Sequence, residues 1–142
     1  MPLSESFIQI SLFSKKLISH FSEKHDLTHQ QIILLNNIPA LDGISISELS
    51  RRLGVDVSTL SRNLKKMEEK KLTTRRKCIN DSRVYKVFIT TKAEKIVNLV
   101  MNEFDLSMSK VLNSMQLTNS SSFNQKIESI SWELYKLTNN EK

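Results

Sequence analysis

The stretch Val57–Leu72, VSTLSRNLKKMEEKKL, constrains the fold of this chain more than any other. Val57, Leu60, Leu64 and Met67 recur at spacings of three, four and three, the period of one helix face. A helix carrying such a stripe must bury it. At about 100° per residue the opposite side carries Ser58, Arg62 and Lys65, with Thr59, Ser61 and Lys66 beside them. Asp56 stands just before the helix, where a carboxylate accepts the free N–H groups of the first turn. Small hydroxyl side chains near a helix N-terminus let the backbone come close to a groove, and cations further along reach bases and phosphates. That arrangement suits a helix entering the major groove of double-stranded DNA. The plainer reading of any charged helix face is a wet surface, and the surroundings of this one argue against it.

The first of those surroundings is charge. The net charge of the 142-residue chain is +6, and residues 45–92 hold 13 Lys and Arg against 5 Asp and Glu. The rest of the chain is slightly acidic, so the excess positive charge sits in one central third. A localised basic surface points to a polyanion partner. No basic amphipathic helix with a large apolar face is present to suggest a membrane surface. No apolar run approaches the length of a membrane span, and the start lacks the pattern of a signal peptide. The one cysteine, Cys78, leaves no internal disulfide framework and fits a reducing compartment, so a cytoplasmic location is expected. With two glycines, no phosphate-cradling loop and no recognisable nucleophile–base pair, the chain does not read as an enzyme, and no cofactor is expected.

The flanking segments complete a pattern. Residues 4–24 read as a helix whose stripe includes Phe7, Ile10, Phe13, Leu17 and Phe21. Thr28 to Gln31 has capping-box spacing and opens a second helix to about Ile38, closed by Pro39. Gly43-Ile44 reads as a short extended link. Ser45 to Glu48 is another capping box, opening a helix that ends at Gly54. Gly54-Val55-Asp56 then turns tightly into the Val57–Leu72 helix, which makes a helix-turn-helix. Residues 72–90 follow. Tyr85, Val87 and Ile89 alternate as in a strand, and Leu72–Cys78 pairs with it across a tip at 80–83. A helix-turn-helix followed by a hairpin is a winged helix. This wing carries Arg75, Arg76, Lys77, Asp81, Arg83 and Lys86.

Thr91 to Glu94 reads as a third capping box, opening a long helix to about Met115. Val97, Val100, Phe104, Met108, Val111 and Met115 form a seam that needs a partner along its length. A last helix carries Phe123, Ile127, Ile130, Leu134 and Leu137 after the polar run 118–122. A small winged helix does not need these flanking helices, and a two-fold homodimer is the simplest way to bury them. The dimerisation residues expected are Phe7, Phe13, Leu17, Val100, Phe104, Met108, Val111, Ile127, Ile130 and Leu134. The fold class is mainly α with a small β-wing. One domain spans residues 1–142, with dimerisation helices at 1–27 and 92–142 around a winged-helix lobe at 28–91.

Taken in this order, the chain resembles the MarR family of multiple-antibiotic-resistance-type regulators over nearly its whole length. Asp81-Ser82-Arg83 followed by Val87-Phe88-Ile89-Thr90 is similar to the family's wing pattern. Leu49 to Leu53 and Leu64 to Leu72 are similar to its third and fourth helices. Lys71 departs, standing where family members often carry glycine. The resemblance implies ligand- or signal-responsive control of transcription, usually repression. It implies Arg83 in a minor groove, and Ser58, Thr59 and Arg62 near a major groove. It also implies a pocket for a small-molecule effector between the dimer base and the winged helix, and nothing in the sequence selects that molecule.

Other readings stay open. A winged helix can serve protein contacts instead of DNA. Cys78, beside Arg76 and Lys77, offers a thiol for redox control, although a small structural residue is the simpler account. His20, Glu23, His25 and His29 gather near the first helix junction; the resemblance implies that a metal site would also draw ligands from the long helix, which has no His or Cys at 92–115, and a polar junction is favoured.

Overall fold

The computed structural model describes residues 1–81, 83–117 and 120–140. Ser82 of the wing pattern and residues 118–119 of the polar run lie outside the described residues. The elements are α1 (Leu3–Ser22), α2 (His29–Asn36), β1 (Ile44–Ser45), α3 (Ile46–Leu53), α4 (Val57–Glu69), β2 (Thr73–Lys77), β3 (Tyr85–Ile89), α5 (Thr91–Ser114) and α6 (Ser120–Asn140). A 3-10 turn, Glu23–His25, follows α1. Two compact units form, Met1–Phe104 and Asp105–Lys142.

The first unit holds the winged helix. Its core joins Ile32 and Leu35 of α2, Leu49 of α3, Leu60, Leu64 and Met67 of α4, Val87 of β3, and Val97 and Val100 of α5. Truncating a side chain such as Leu64 to alanine removes buried contacts and costs about 2–5 kcal/mol. The predicted α4 stripe is buried except at its start. Val57 is 51% exposed because it opens the first turn, where no neighbouring helix covers it.

The helix also ends earlier than Leu72. Lys70 caps it and Lys71 turns left-handed at φ 62. Leu72 is then buried and sends its N–H back to the Met67 carbonyl at 2.9 Å. The chain therefore leaves α4 directly into β2.

The wing belongs to a three-stranded antiparallel sheet in the order β1-β3-β2. β2 and β3 pair from Thr73 opposite Ile89 to Lys77 opposite Tyr85. Ile44 and Ser45 are a strand rather than a link, opposite Val87 and Lys86. Gly43 permits this approach. A Cβ there would sit 2.7 Å from the Val87 carbonyl oxygen.

Two capping boxes behave differently. Thr28 and Gln31 form the reciprocal pair. Ser45 accepts the Glu48 N–H at 3.2 Å, while the Glu48 carboxylate pairs with Arg51 and Arg52 at 2.8 and 3.5 Å. At α5 the cap is Thr90, not Thr91. Its hydroxyl accepts the Ala93 N–H at 3.2 Å and donates to the Lys71 carbonyl at 2.8 Å, so one residue stitches α5 to the end of α4.

The long-helix seam is divided. Val97 and Val100 are buried within the first unit, and Phe104 packs against the same core. Val100 is fully buried within the first unit, which leaves it no surface for the dimerisation role expected of it. Phe104 is half-buried against the same core. In the second unit Met108 is half-buried, while Val111, Met115, Ile127, Ile130, Leu134 and Leu137 are exposed.

Candidate nucleic-acid interface

The exposed face of α4 is built from its cap outward. Asp56 is extended at ψ 155 and its carboxylate receives three donors. Thr59 gives its N–H at 3.0 Å and its hydroxyl at 2.6 Å, and the Ser58 hydroxyl binds the same carboxylate. The Ser58 hydroxyl, then the two Thr59 donors, hold this carboxyl far below the usual aspartate range. One turn later Arg62 is exposed, and its Nη2 donates to Thr59 Oγ1 at 3.4 Å. Lys65 and Lys66 are exposed beyond it, while Ser61 and Thr59 are half-buried. The side opposite Leu60, Leu64 and Met67 is thus a row of hydroxyls followed by cations, as the periodicity predicts.

The wing sorts its cations by strand register. Side chains directly opposite each other share a face, so Arg75 and Lys77 lie on the side of Val87 and Tyr85, and Arg76 lies on the side of Lys86 and Phe88. Arg75 reaches back to Glu68 of α4 at 3.5 Å, which ties the wing to the helix. Arg76 stacks over the Phe88 ring at 4.4 Å, and Lys77 lies over Tyr85 at 6.0 Å. These rings hold long cationic stems in place without neutralising them. Lys86 is half-buried and donates to the Asp42 carbonyl at 3.5 Å.

At the tip Asp81 Oδ1 accepts the Arg83 backbone N–H at 3.0 Å and its Nε–H at 3.3 Å. The Arg83 side chain is nonetheless 90% exposed. The tip is closed by Cys78 N–H to the Val84 carbonyl at 2.7 Å and Val84 N–H to the Asp81 carbonyl at 3.0 Å. Cys78 is half-buried in that closure.

Arg62, Lys65 and Lys66 therefore share one helix face, and Arg75, Arg76, Lys77, Asp81, Arg83 and Lys86 share one hairpin. Sequence reasoning missed Glu68, seven residues from its partner, and Phe88, whose ring carries Arg76. The register of β2 on β3 was the signal for Phe88, and none existed for Glu68.

The histidines do not converge on one site. Among the described residues no group of three His, Cys, Asp or Glu side chains is placed to hold a metal ion. His20 packs edge-on against Phe21 at 5.5 Å. His25 Nε2 and His29 Nδ1 are buried without hydrogen-bond partners. His29 lines a cleft of about 260 Å³ with Ile33, Leu53, Leu60 and Asn63. Burial, and secondarily the Lys15 charge, lowers its pKa from the ordinary value. No helix among the described residues is long and apolar enough to cross a membrane.

A profile described as the MarR family matches residues 25–84, from the 3-10 turn to the wing tip. The HTH-type transcriptional regulator SarZ of Staphylococcus saprophyticus is 34% identical over 105 residues, covering 69% of this chain and 71% of SarZ. The chain belongs to the MarR family. Solved structures agree with this MarR-family winged helix. MepR of S. aureus, in its complex with DNA, matches with a TM-score of 0.71 at 25% identity, over 94% of this chain and 96% of that one. Apo wild-type MarR from E. coli shares the fold, with a TM-score of 0.75 at 24% identity over 89% of this chain and 96% of MarR. The family and fold are those of transcriptional regulators, not of enzymes.

Proposed function

We propose that this MarR-family regulator is a homodimer that binds a pseudo-palindromic operator in double-stranded DNA and represses transcription by occupying it. Residues 1–142 act as one functional domain, with the lobe at 28–91 flanked by dimerisation segments. Helix α4 enters the major groove with Ser58, Thr59, Ser61, Arg62, Lys65 and Lys66. The wing lies along the backbone with Arg75, Arg76, Lys77 and Lys86, and Arg83 enters the minor groove.

The observation that carries the reading is Arg83. A guanidinium almost wholly exposed, yet restrained through Nε by Asp81, loses less freedom on binding than a free arginine. A narrow minor groove concentrates negative potential and attracts such a group. The DNA in the MepR complex supports the partner class. Homodimerisation is supported by apolar side chains that the chain itself leaves exposed, Phe7 and Phe13 on α1 and Ile127, Ile130 and Leu134 on α6. Two-fold symmetry then sets two copies of α4 about one helical turn apart on DNA.

Selection of random duplexes by the purified protein, at two salt concentrations, tests the reading. The expected outcome is an inverted repeat, bound with a steep salt dependence from released counterions. Binding without an enriched motif, or no binding at low salt, refutes it.

A further inference from the structure

We propose that Asp56 fixes the hydrogen-bond polarity of the recognition helix, so that Ser58 selects the amino groups of adenine or cytosine on the major-groove edge. The proposal rests on the reading of α4 as the groove-entering helix.

The argument is one of counting protons. An ionised carboxylate only accepts, and a hydroxyl has one hydrogen to give and two lone pairs to receive. Both hydroxyls at the start of α4 point their hydrogens at Asp56, Ser58 to Oδ2 and Thr59 to Oδ1. Neither has a hydrogen left for another partner. Thr59 is half-buried, and its oxygen already receives Arg62 Nη2. Ser58 is exposed, so its lone pairs are what this end of the helix presents.

On the major-groove edge the donors are the adenine N6 and cytosine N4 amino groups. Guanine O6 and N7, adenine N7 and thymine O4 are acceptors. A serine hydroxyl free to rotate serves either kind, which makes it a poor discriminator. A serine whose hydrogen is held by a carboxylate matches the amino groups and is repelled by the carbonyl oxygens. Asp56 thereby shapes base preference without touching a base. It is a positioning residue.

The cap role alone does not require a carboxylate. Asparagine and serine cap helices about as well. A negative charge at the leading end of a DNA-facing helix works against a polyanion. What aspartate adds over those neutral caps, besides its charge at the helix N-terminus, is a second acceptor, so that both hydroxyl hydrogens are held.

The test is Asp56→Ala, carried through the same random-duplex selection beside the unsubstituted protein and Ser58→Ala. Asparagine would not serve, because the Thr59 N–H and the Ser58 hydroxyl share Oδ2, and an amide oxygen kept there for the cap still takes the Ser58 hydrogen. Alanine removes both acceptors, and the Ser58 hydrogen is free to turn outward. At one position in each half-site, preference for an adenine or cytosine amino group should relax to admit a guanine or thymine oxygen. The change in relative affinity should be about three- to ten-fold, the size of one hydrogen bond. Ser58→Ala should flatten preference at the same position and leave the others unchanged.

An Asp56→Ala motif identical to that of the unsubstituted protein, or an equal loss on every sequence, overturns the proposal. So does a Ser58→Ala motif that keeps its preference everywhere. If the unsubstituted protein itself enriches no motif, the reading of α4 as a DNA reader falls, and this proposal falls with it. Far-ultraviolet circular dichroism of both variants confirms that the helices are retained.

Discussion

Lys71 closes helix α4 in a conformation that suits glycine better than lysine. Its φ is 62. Its N–H donates to the Glu68 carbonyl at 2.9 Å, and the Leu72 N–H donates to the Met67 carbonyl at 2.9 Å. Those two bonds are the paired closure of a Schellman ending, whose left-handed position is usually glycine. A side chain with a Cβ pays roughly 1–2 kcal/mol in that region. Glycine escapes this cost but loses more unfolded-state freedom, a penalty of roughly 0.5–1 kcal/mol. The difference makes Lys71→Gly more stable by roughly 0.5–1 kcal/mol.

For a chain of this length that gain raises Tm by about 1–4 °C. The assay is thermal or urea unfolding, run at one protein concentration because the stability of the proposed homodimer would depend on it. Lys71→Ala is the control. It removes the same charge and keeps the Cβ, so it should leave Tm near that of the unsubstituted protein. The Thr90 hydroxyl binds the backbone carbonyl of Lys71, which both variants retain. A glycine variant no more stable than the alanine variant would refute the strain argument. It would mean that the stitch from Thr90, and not the local dihedral, sets the cost of this turn.

Arg62→Ala should weaken specific binding by about 1–3 kcal/mol and relax preference at particular base pairs, if its contact is bidentate to guanine; equal loss on all duplexes in a titration would reduce Arg62 to a phosphate contact. Arg83→Ala should lower affinity most on A·T-rich flanks and flatten the salt slope by about 1, and independence from flanking sequence would remove its minor-groove role. Leu134→Asp, an exposed α6 position, should give a folded monomer by sedimentation, and an unchanged dimer mass would clear α6 of the interface. His29 has a lowered pKa, so the unfolded chain takes up a proton first as pH falls through about 6.5. Stability should therefore decline from pH 7 towards 5, and His29→Gln should remove part of that decline in denaturant titrations.

The α4 face was legible because a helix period is a strong local signal, and Leu60, Leu64 and Met67 obey it. Val57 broke from the stripe because a first-turn residue has no preceding turn beside it and no neighbour to cover it. β1 was not legible. Two residues are too few to show alternation, and Ile44–Ser45 is a strand only because Gly43 lets the Val87 carbonyl come close. The start of α5 was read one residue late. Thr91 to Glu94 has the better capping-box spelling, but Thr90 also bonds the end of α4, and that tertiary contact decides the cap. On the wing the cations were legible and their supports were not. Arg76 over Phe88 follows from strand register, whereas Arg75 on Glu68 needs the angle between α4 and β2.

The seam on α5 shows why a continuous apolar repeat does not define one interface. Val97, Val100 and Phe104 have the same spacing as Met108, Val111 and Met115, so periodicity cannot separate them. Burial does. The first group belongs to or packs against the core cluster of the first unit, and the second is half-buried or exposed. An aspartate at Phe104 would therefore damage the winged-helix core as well as any subunit contact, and loss of the dimer could not be assigned to either. Leu134 and Ile130 separate the two effects, because neither belongs to that core. If a Leu134→Asp monomer still binds a single half-site weakly, the lobe folds and reads DNA by itself, and the terminal helices supply pairing. If the monomer loses its winged-helix unfolding transition, the two units are one cooperative structure, and pairing is part of what holds α4 in place.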